Sequence, residues 1–198
     1  MIKRIIAMAA LIPAVLGTTT GVASAHTAPK ASPAAVITLT YDASEAGQWA
    51  SAITQGVENW NNAVHNVHLQ PAGSYSTATF VYVATSGWPQ TTLGPFFPGE
   101  RGEVQLGQEA VTEGYDPTRI AAHETGHILG LLDDYSGPCS ELMSGHGPGT
   151  SCTNALPSAE EAAEVDDNYA GFGPAATRPN HGQVVIDVWA DRATTRSH

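Results

Sequence analysis

The sequence predicts an α+β domain, a twisted mixed sheet carrying long helices, with a helix-rich C-terminal part across a cleft. Size and composition bound it first. The chain has 198 residues, 42% hydrophobic and 14% charged, which suits one domain with a real core and is short for two. β-branched, partly alternating runs then mark strands in the first half, and three- and four-residue apolar spacing with cap signals marks helices. No internal repeat is evident.

In chain order, residues 1–25 read as a secretory signal. Lys3 and Arg4 give the positive start, Ile5 to Leu16 the apolar run, and Ala23-Ser24-Ala25 the small-residue cleavage site. The run is too short, and too interrupted by Pro13 and Gly17, to span a membrane. The expectation is an exported, extracellular protein whose mature chain begins near His26. Residues 26–35 offer nothing to bury and read as a linker or short pro-segment. The formal charge is −11, or −13 once Lys3 and Arg4 leave, which argues against nucleic acid and anionic membrane as partners.

Val36 to Tyr41 reads as the first strand. Asp42 and Ser44 supply cap-type side chains for a helix to about His65, whose apolar face is Ala46, Trp49, Ala50, Ile53, Val57, Trp60 and Val64. Trp49 and Trp60 are expected in the core. Val67 to Leu69 and Ala78 to Ala84 read as strands, with His65 and His68 exposed or hydrogen-bonded. Ser86 to Gly102 reads as a loop, its Trp88, Phe96 and Phe97 either rimming a cleft or pinning the loop down. Glu103 to Leu106 reads as a short edge strand able to hold an extended peptide by backbone pairing. Asp116 as N-cap and Pro117 as first residue open the next helix. Pro157 to about Tyr169 reads as a final helix, and the tail beyond Gly171 holds a possible strand, Val184 to Trp189.

The chemistry concentrates in His123 to Asp133. On a helix, His123 and His127 are one turn apart and project from the same face, where one zinc ion can bind both. Glu124, one residue round, is displaced from the ligands but within reach of a water at the metal. Gly130 can end the helix in a left-handed conformation and bring Asp133 back as third ligand. Three ligands with one open position describe a catalytic rather than a structural zinc site. Asp134 follows Asp133 directly, and the spacing from His127 favours Asp133. Gly126 and Gly130 are both costly in a helix, and a merely solvated surface helix would leave them without a purpose. Cys139 and Cys152 are the only cysteines; export makes a disulfide the default, against two free buried thiols. Its loop of about fourteen residues would contribute roughly 3 kcal/mol.

The eleven-residue motif, with Tyr135, Gly137 to Gly145 and Pro148 to Asn154, resembles the snapalysin family of bacterial extracellular small neutral proteases, a metzincin-like group. The resemblance is dense from about Tyr115 to Asn154 and thinner from Val36. It implies a metzincin-like zincin fold and a secreted, monomeric zinc endopeptidase acting on proteins or peptides. It assigns His123, His127 and Asp133 to zinc, Glu124 as catalytic base, and Tyr135 to stabilise the transition state. Met143 would lie in a Met-turn beneath the metal, and Cys139 would pair with Cys152. It further implies a calcium site at Asp116 and Thr118, where the N-cap role of Asp116 is the alternative. A preference for an aromatic residue after the scissile bond also follows from it. The tail from about Gly171 extends past the family domain, which would span residues 36–170. Rival readings are a secreted zinc-binding module without turnover and a zinc amidase on a non-protein substrate.

Overall fold

Parallel strands need long crossovers, and a helix supplies the one between the first two strands of this chain. The computed structural model describes residues 35–171, 178 and 180–190, all within one unit from Pro33 to His198. The signal and linker expected at residues 1–35 lie outside the described residues except for Ala35. Strands β1 (Ile37–Glu45), β2 (Val67–Pro71), β3 (Phe80–Thr85), β4 (Gln90–Thr92), β5 (Gly102–Gly107) and β6 (Val184–Ile186) form one sheet in the order β2-β1-β3-β5-β4-β6. β2, β1, β3 and β5 are mutually parallel, whereas β4 runs antiparallel to both β5 and β6. The helices are α1 (Ala50–Ala63), α2 (Gln108–Thr112), α3 (Pro117–Ile128) and α4 (Ala159–Tyr169). The expected α+β arrangement, a mixed sheet carrying helices, is present.

Four elements, β1, α1, β4 and β5, differ from expectation. β1 continues to Glu45 through an irregularity between Asp42 and Glu45, and α1 begins only at Ala50, after a short 3-10 turn. Asp42 and Ser44 do bond to each other, but within the strand rather than as helix caps. β5 is also not an edge. A three-residue strand, Gln90-Thr91-Thr92, emerges inside the expected loop and covers it. Flanking glycines and prolines mask so short a run, yet its threonines suit a pleated surface. Phe96 pins the rest of this loop into the core.

The core lies between the sheet and the α1–α3 pair. Trp49 and Trp60 are both in it, and Trp60 donates its Nε1–H to the Ala122 carbonyl at 2.8 Å, tying α1 to α3. Every residue of α3 from Arg119 to Ile128 is buried. A helix buried on all sides cannot be a solvated surface helix, so its polar residues need partners. His65 pairs with Asp166 at 2.9 Å and His68 is exposed, as expected of histidines without a metal role. α4 starts with a capping box between Ser158 and Glu161.

Candidate metal centre

Helix α3 is set by its two ends. At its start Asp116 accepts the Arg119 N–H at 2.8 Å, with Pro117 at the first position. At its end Gly130 takes φ +98°, the Gly130 N–H reaches the His127 carbonyl and the Leu131 N–H the Gly126 carbonyl. That is a Schellman motif, in which glycine avoids the Cβ penalty of the left-handed conformation. The reversal delivers Asp133, not Asp134, to the histidines; Asp134 is exposed and bonds Ser136 instead.

The two imidazoles are oriented from behind. His123 Nδ1 lies 3.1 Å from the Leu142 carbonyl and His127 Nδ1 2.8 Å from the Leu131 carbonyl. A carbonyl can only accept, so each Nδ1 carries a proton and each ring turns Nε2 inward, the nitrogen left to bind a metal. Met143 sits below the helix. A Cβ on Gly126 would come within 2.5 Å of its Sδ and 3.2 Å of Trp60 Cζ2, so the glycine makes room for the methionine. The Met143 turn is held from two sides. Glu161 accepts the Leu142 and Met143 N–H groups at 3.0 and 2.6 Å. Buried Arg119 donates to the carbonyls of Gly145, Asn154 and Glu141 and to Ser144 Oγ. Cys139 and Cys152 form a disulfide just beyond, with Cα atoms 5.6 Å apart.

Four donors converge: His123, His127, Asp133 and, unanticipated, Asp187 from the tail. Asp133 Oδ1 lies 3.2 and 3.5 Å from the two Nε2 atoms, and Asp187 Oδ2 lies 3.3 and 3.2 Å from them. Zinc bonds to nitrogen and oxygen are about 2.0–2.1 Å, so tetrahedral donors stand about 3.3–3.4 Å apart. These four separations fit a zinc ion, and all four donor atoms lie within 4.8 Å of one another. His123 Nε2 and Asp133 Oδ1 are buried without a hydrogen-bond partner, as is Glu124 Oε1, the kind of orphaned polar atom that a bound ion explains. Electrostatics agree. Burial pulls His123 down, but Asp133 and Asp187 outweigh it and hold the imidazole up at about 9. His127 is raised against burial by the same carboxylates. Both aspartates are held below their usual range, the histidines outweighing the effect of burial. The quartet therefore draws positive charge to its centre.

Glu124 is fully buried, and its Oε2 accepts the Thr91 hydroxyl of β4 at 2.7 Å, leaving Oε1 free. Burial and then the charge of Asp187 push its carboxyl well above the ordinary value, the two histidines and Thr91 opposing. The Tyr135 hydroxyl donates to Asp187 Oδ1. Asp116 is accounted for as an N-cap, and Thr118 is half-buried on the first turn of α3.

A family model described as the Streptomyces extracellular neutral proteinase (M7) family matches residues 36–173. The chain belongs to that family. Among its relatives, an extracellular small neutral protease of Streptomyces sp. (strain C5) is 46% identical over 142 residues, 71% of this chain and 60% of that protein. One from Streptomyces coelicolor is 45% identical over 144 residues, 72% of this chain and 65% of that protein. A third, from Streptomyces caespitosus, is 42% identical over 134 residues, 68% of this chain and 98% of that protein. The chain thus spans under two thirds of the first two relatives and nearly all of the third. The neutral proteinase domain ends short of β6, so Asp187 and Trp189 stand outside the family pattern.

Asp187, Trp189, Thr91, Arg119 and Glu161 carry no motif. The one signal for Asp187 was a lone carboxylate inside the apolar run Val184 to Trp189, at a position whose neighbours two residues away point inward.

Proposed function

We propose that this chain is a secreted zinc endopeptidase that hydrolyses peptide bonds of proteins, working as a monomer. The observation that carries the reading is the convergence of His123, His127, Asp133 and Asp187, with His123 Nε2, Asp133 Oδ1 and the neighbouring Glu124 Oε1 buried and without hydrogen-bond partners. His123, His127 and Asp133 would hold the metal. Bound zinc would supply Lewis acidity, easing deprotonation of water and neutralising charge that builds on the scissile oxygen. Glu124 Oε1 faces that position and takes the water's proton, then returns it to the departing amine. Thr91 fixes the rotamer of Glu124 through Oε2. Burial raises its basicity, which suits the transfer. Tyr135 reaches the same space with its hydroxyl and would donate to the developing oxyanion. The side of β4 opposite β5, where β6 pairs antiparallel, would hold an extended peptide antiparallel in place of β6.

The preference for an aromatic residue after the scissile bond rests on the family resemblance. Calcium at Asp116 and Thr118 is left outside the proposal, because capping of α3 explains Asp116. Casein hydrolysis by the zinc-loaded chain tests the reading. Chelation should abolish it and zinc restore it, and Glu124→Gln should lower the rate by about a hundredfold or more. Cleavage indifferent to Glu124→Gln would remove the assigned base. A zinc-loaded protein that turns over no casein in any variant would remove the peptidase.

A further inference from the structure

The tail reaches the metal centre by a route that a substrate would take. Gly182 donates to the Leu93 carbonyl at 2.8 Å, and the Leu93 N–H to the Gln183 carbonyl at 2.7 Å. Val184, Val185 and Ile186 then pair antiparallel with Thr92, Thr91 and Gln90. The Asp187 N–H reaches the Pro89 carbonyl at 2.9 Å. The whole free edge of β4 is therefore taken up by residues 182–187. Side chains alternate across this strand. Val184, Ile186 and Val188 are 60, 60 and 48% exposed, whereas Asp187 and Trp189 are fully buried.

The two buried residues take the working positions of the cleft. Asp187 places Oδ2 beside both histidine Nε2 atoms, and its Oδ1 accepts the Tyr135 hydroxyl. It thus engages both the open side of the metal centre and the group proposed to stabilise the oxyanion. Trp189 stands edge-on to His123 at 5.3 Å and to Tyr115 at 5.1 Å. Its Nε1–H is buried with no acceptor, a cost that a residue selected purely for a permanent core would avoid. The other face of the strand leaves three aliphatic side chains exposed, and among the described residues β6 has β4 as its only partner strand. The segment is docked on the family domain rather than built into it.

We propose that Gln183–Trp189 is an intramolecular inhibitor, with Asp187 completing the zinc coordination and Trp189 anchoring the strand in the cleft. This rests on the zinc peptidase reading. A side-chain carboxylate, not a peptide carbonyl, meets the metal site, so the segment blocks water and substrate without presenting a bond to be cut. Tethering gives even a weak ligand an effective concentration of about millimolar, enough to hold the cleft closed against dilute substrate.

The test compares the zinc-loaded full chain with Asp187→Ala and Trp189→Ala. Calorimetry measures the affinity of each for acetohydroxamate, a small zinc chelator, and a chromogenic chelator measures how fast zinc is lost. Both variants should bind acetohydroxamate about ten- to hundredfold more tightly than wild type. Asp187→Ala alone should lose zinc about tenfold faster or more, having one ligand fewer. In wild type, saturating acetohydroxamate should speed amide hydrogen exchange across residues 183–189, a readout that does not depend on either variant folding. Zinc bound at one per chain with equal hydroxamate affinity in all three proteins overturns the inhibitor and leaves the zinc site intact. Unchanged exchange in the tail at saturation overturns it equally. Failure of all three proteins to bind zinc overturns the underlying reading and the inhibitor with it. If zinc binds and the variants show the expected gains yet none cleaves casein, the tail occupies the metal centre but the peptidase reading falls, and the inhibitor with it.

Discussion

Arg119→Met probes how the metal centre is held without touching it. Arg119 is fully buried and donates to Gly145, Asn154, Glu141 and Ser144, so one guanidinium ties α3 to the turn that bears Met143. Methionine keeps most of the stem's volume and removes every donor. The acceptors are then left without partners, and nearby Glu161 and Asp116 lose a countercharge. Truncating one side of a buried charged network costs about 3–5 kcal/mol. For a domain of this size that lowers Tm by about 6–20 °C. Urea unfolding of the zinc-loaded protein measures it, with Arg119→Lys alongside. Lysine restores the charge but not the planar fork, and should recover only part of the loss. Zinc affinity should fall in Arg119→Met under conditions where the protein remains folded, because the Leu142 carbonyl that orients His123 lies on the released turn. A destabilisation below about 1 kcal/mol, within the range of an ordinary surface substitution, would refute the reasoning.

Gly126→Ala gains helix propensity of about 1 kcal/mol but drives a methyl into Met143 Sδ. Overpacking at about 1–3 kcal/mol should win, seen as a lower urea midpoint. Removing the disulfide with Cys139→Ser and Cys152→Ser together should cost about 3 kcal/mol, read from thermal unfolding with and without reductant. Asp166 supplies a pH-dependent term. Burial would raise its carboxyl, but the His65 and Asn66 amides and the His65 ring outweigh that and lower it. Its contribution is therefore complete above the unfolded value near about 3.9 and disappears as pH falls through the lower folded value. Wild type should exceed Asp166→Asn by about 1 kcal/mol at neutral pH, discounted because His65 is largely exposed, and the gap should close in acid.

The part of the site built from local spacing was legible. One helical turn between His123 and His127, a glycine where the helix must reverse, and an aspartate three residues on define a metal-binding face by geometry alone. The helix cap at Asp116 was legible for the same reason, since a cap bonds within three residues. What was hidden depends on contacts between distant segments. Gly126 is explained only when Met143 is seen beneath it. β4 was hidden because three residues show no periodicity and their glycine and proline surroundings read as loop. Asp187 lies 60 residues from His127, and only the pairing of the tail with β4 brings it to the metal centre. The mistaken assignment of β5 as the edge has the same origin: which strand is outermost depends on every other strand.

The central claim is that two histidines of α3 and the carboxylate beyond Gly130 gather around one zinc ion. X-ray absorption at the zinc edge, on the purified chain, reads that shell directly. The account predicts a four-coordinate site with two imidazole nitrogens at about 2.0–2.1 Å and carboxylate oxygens at about 2.0–2.2 Å. A sulfur shell near about 2.3 Å, or a zinc surrounded by oxygen with no imidazole scattering, would contradict it.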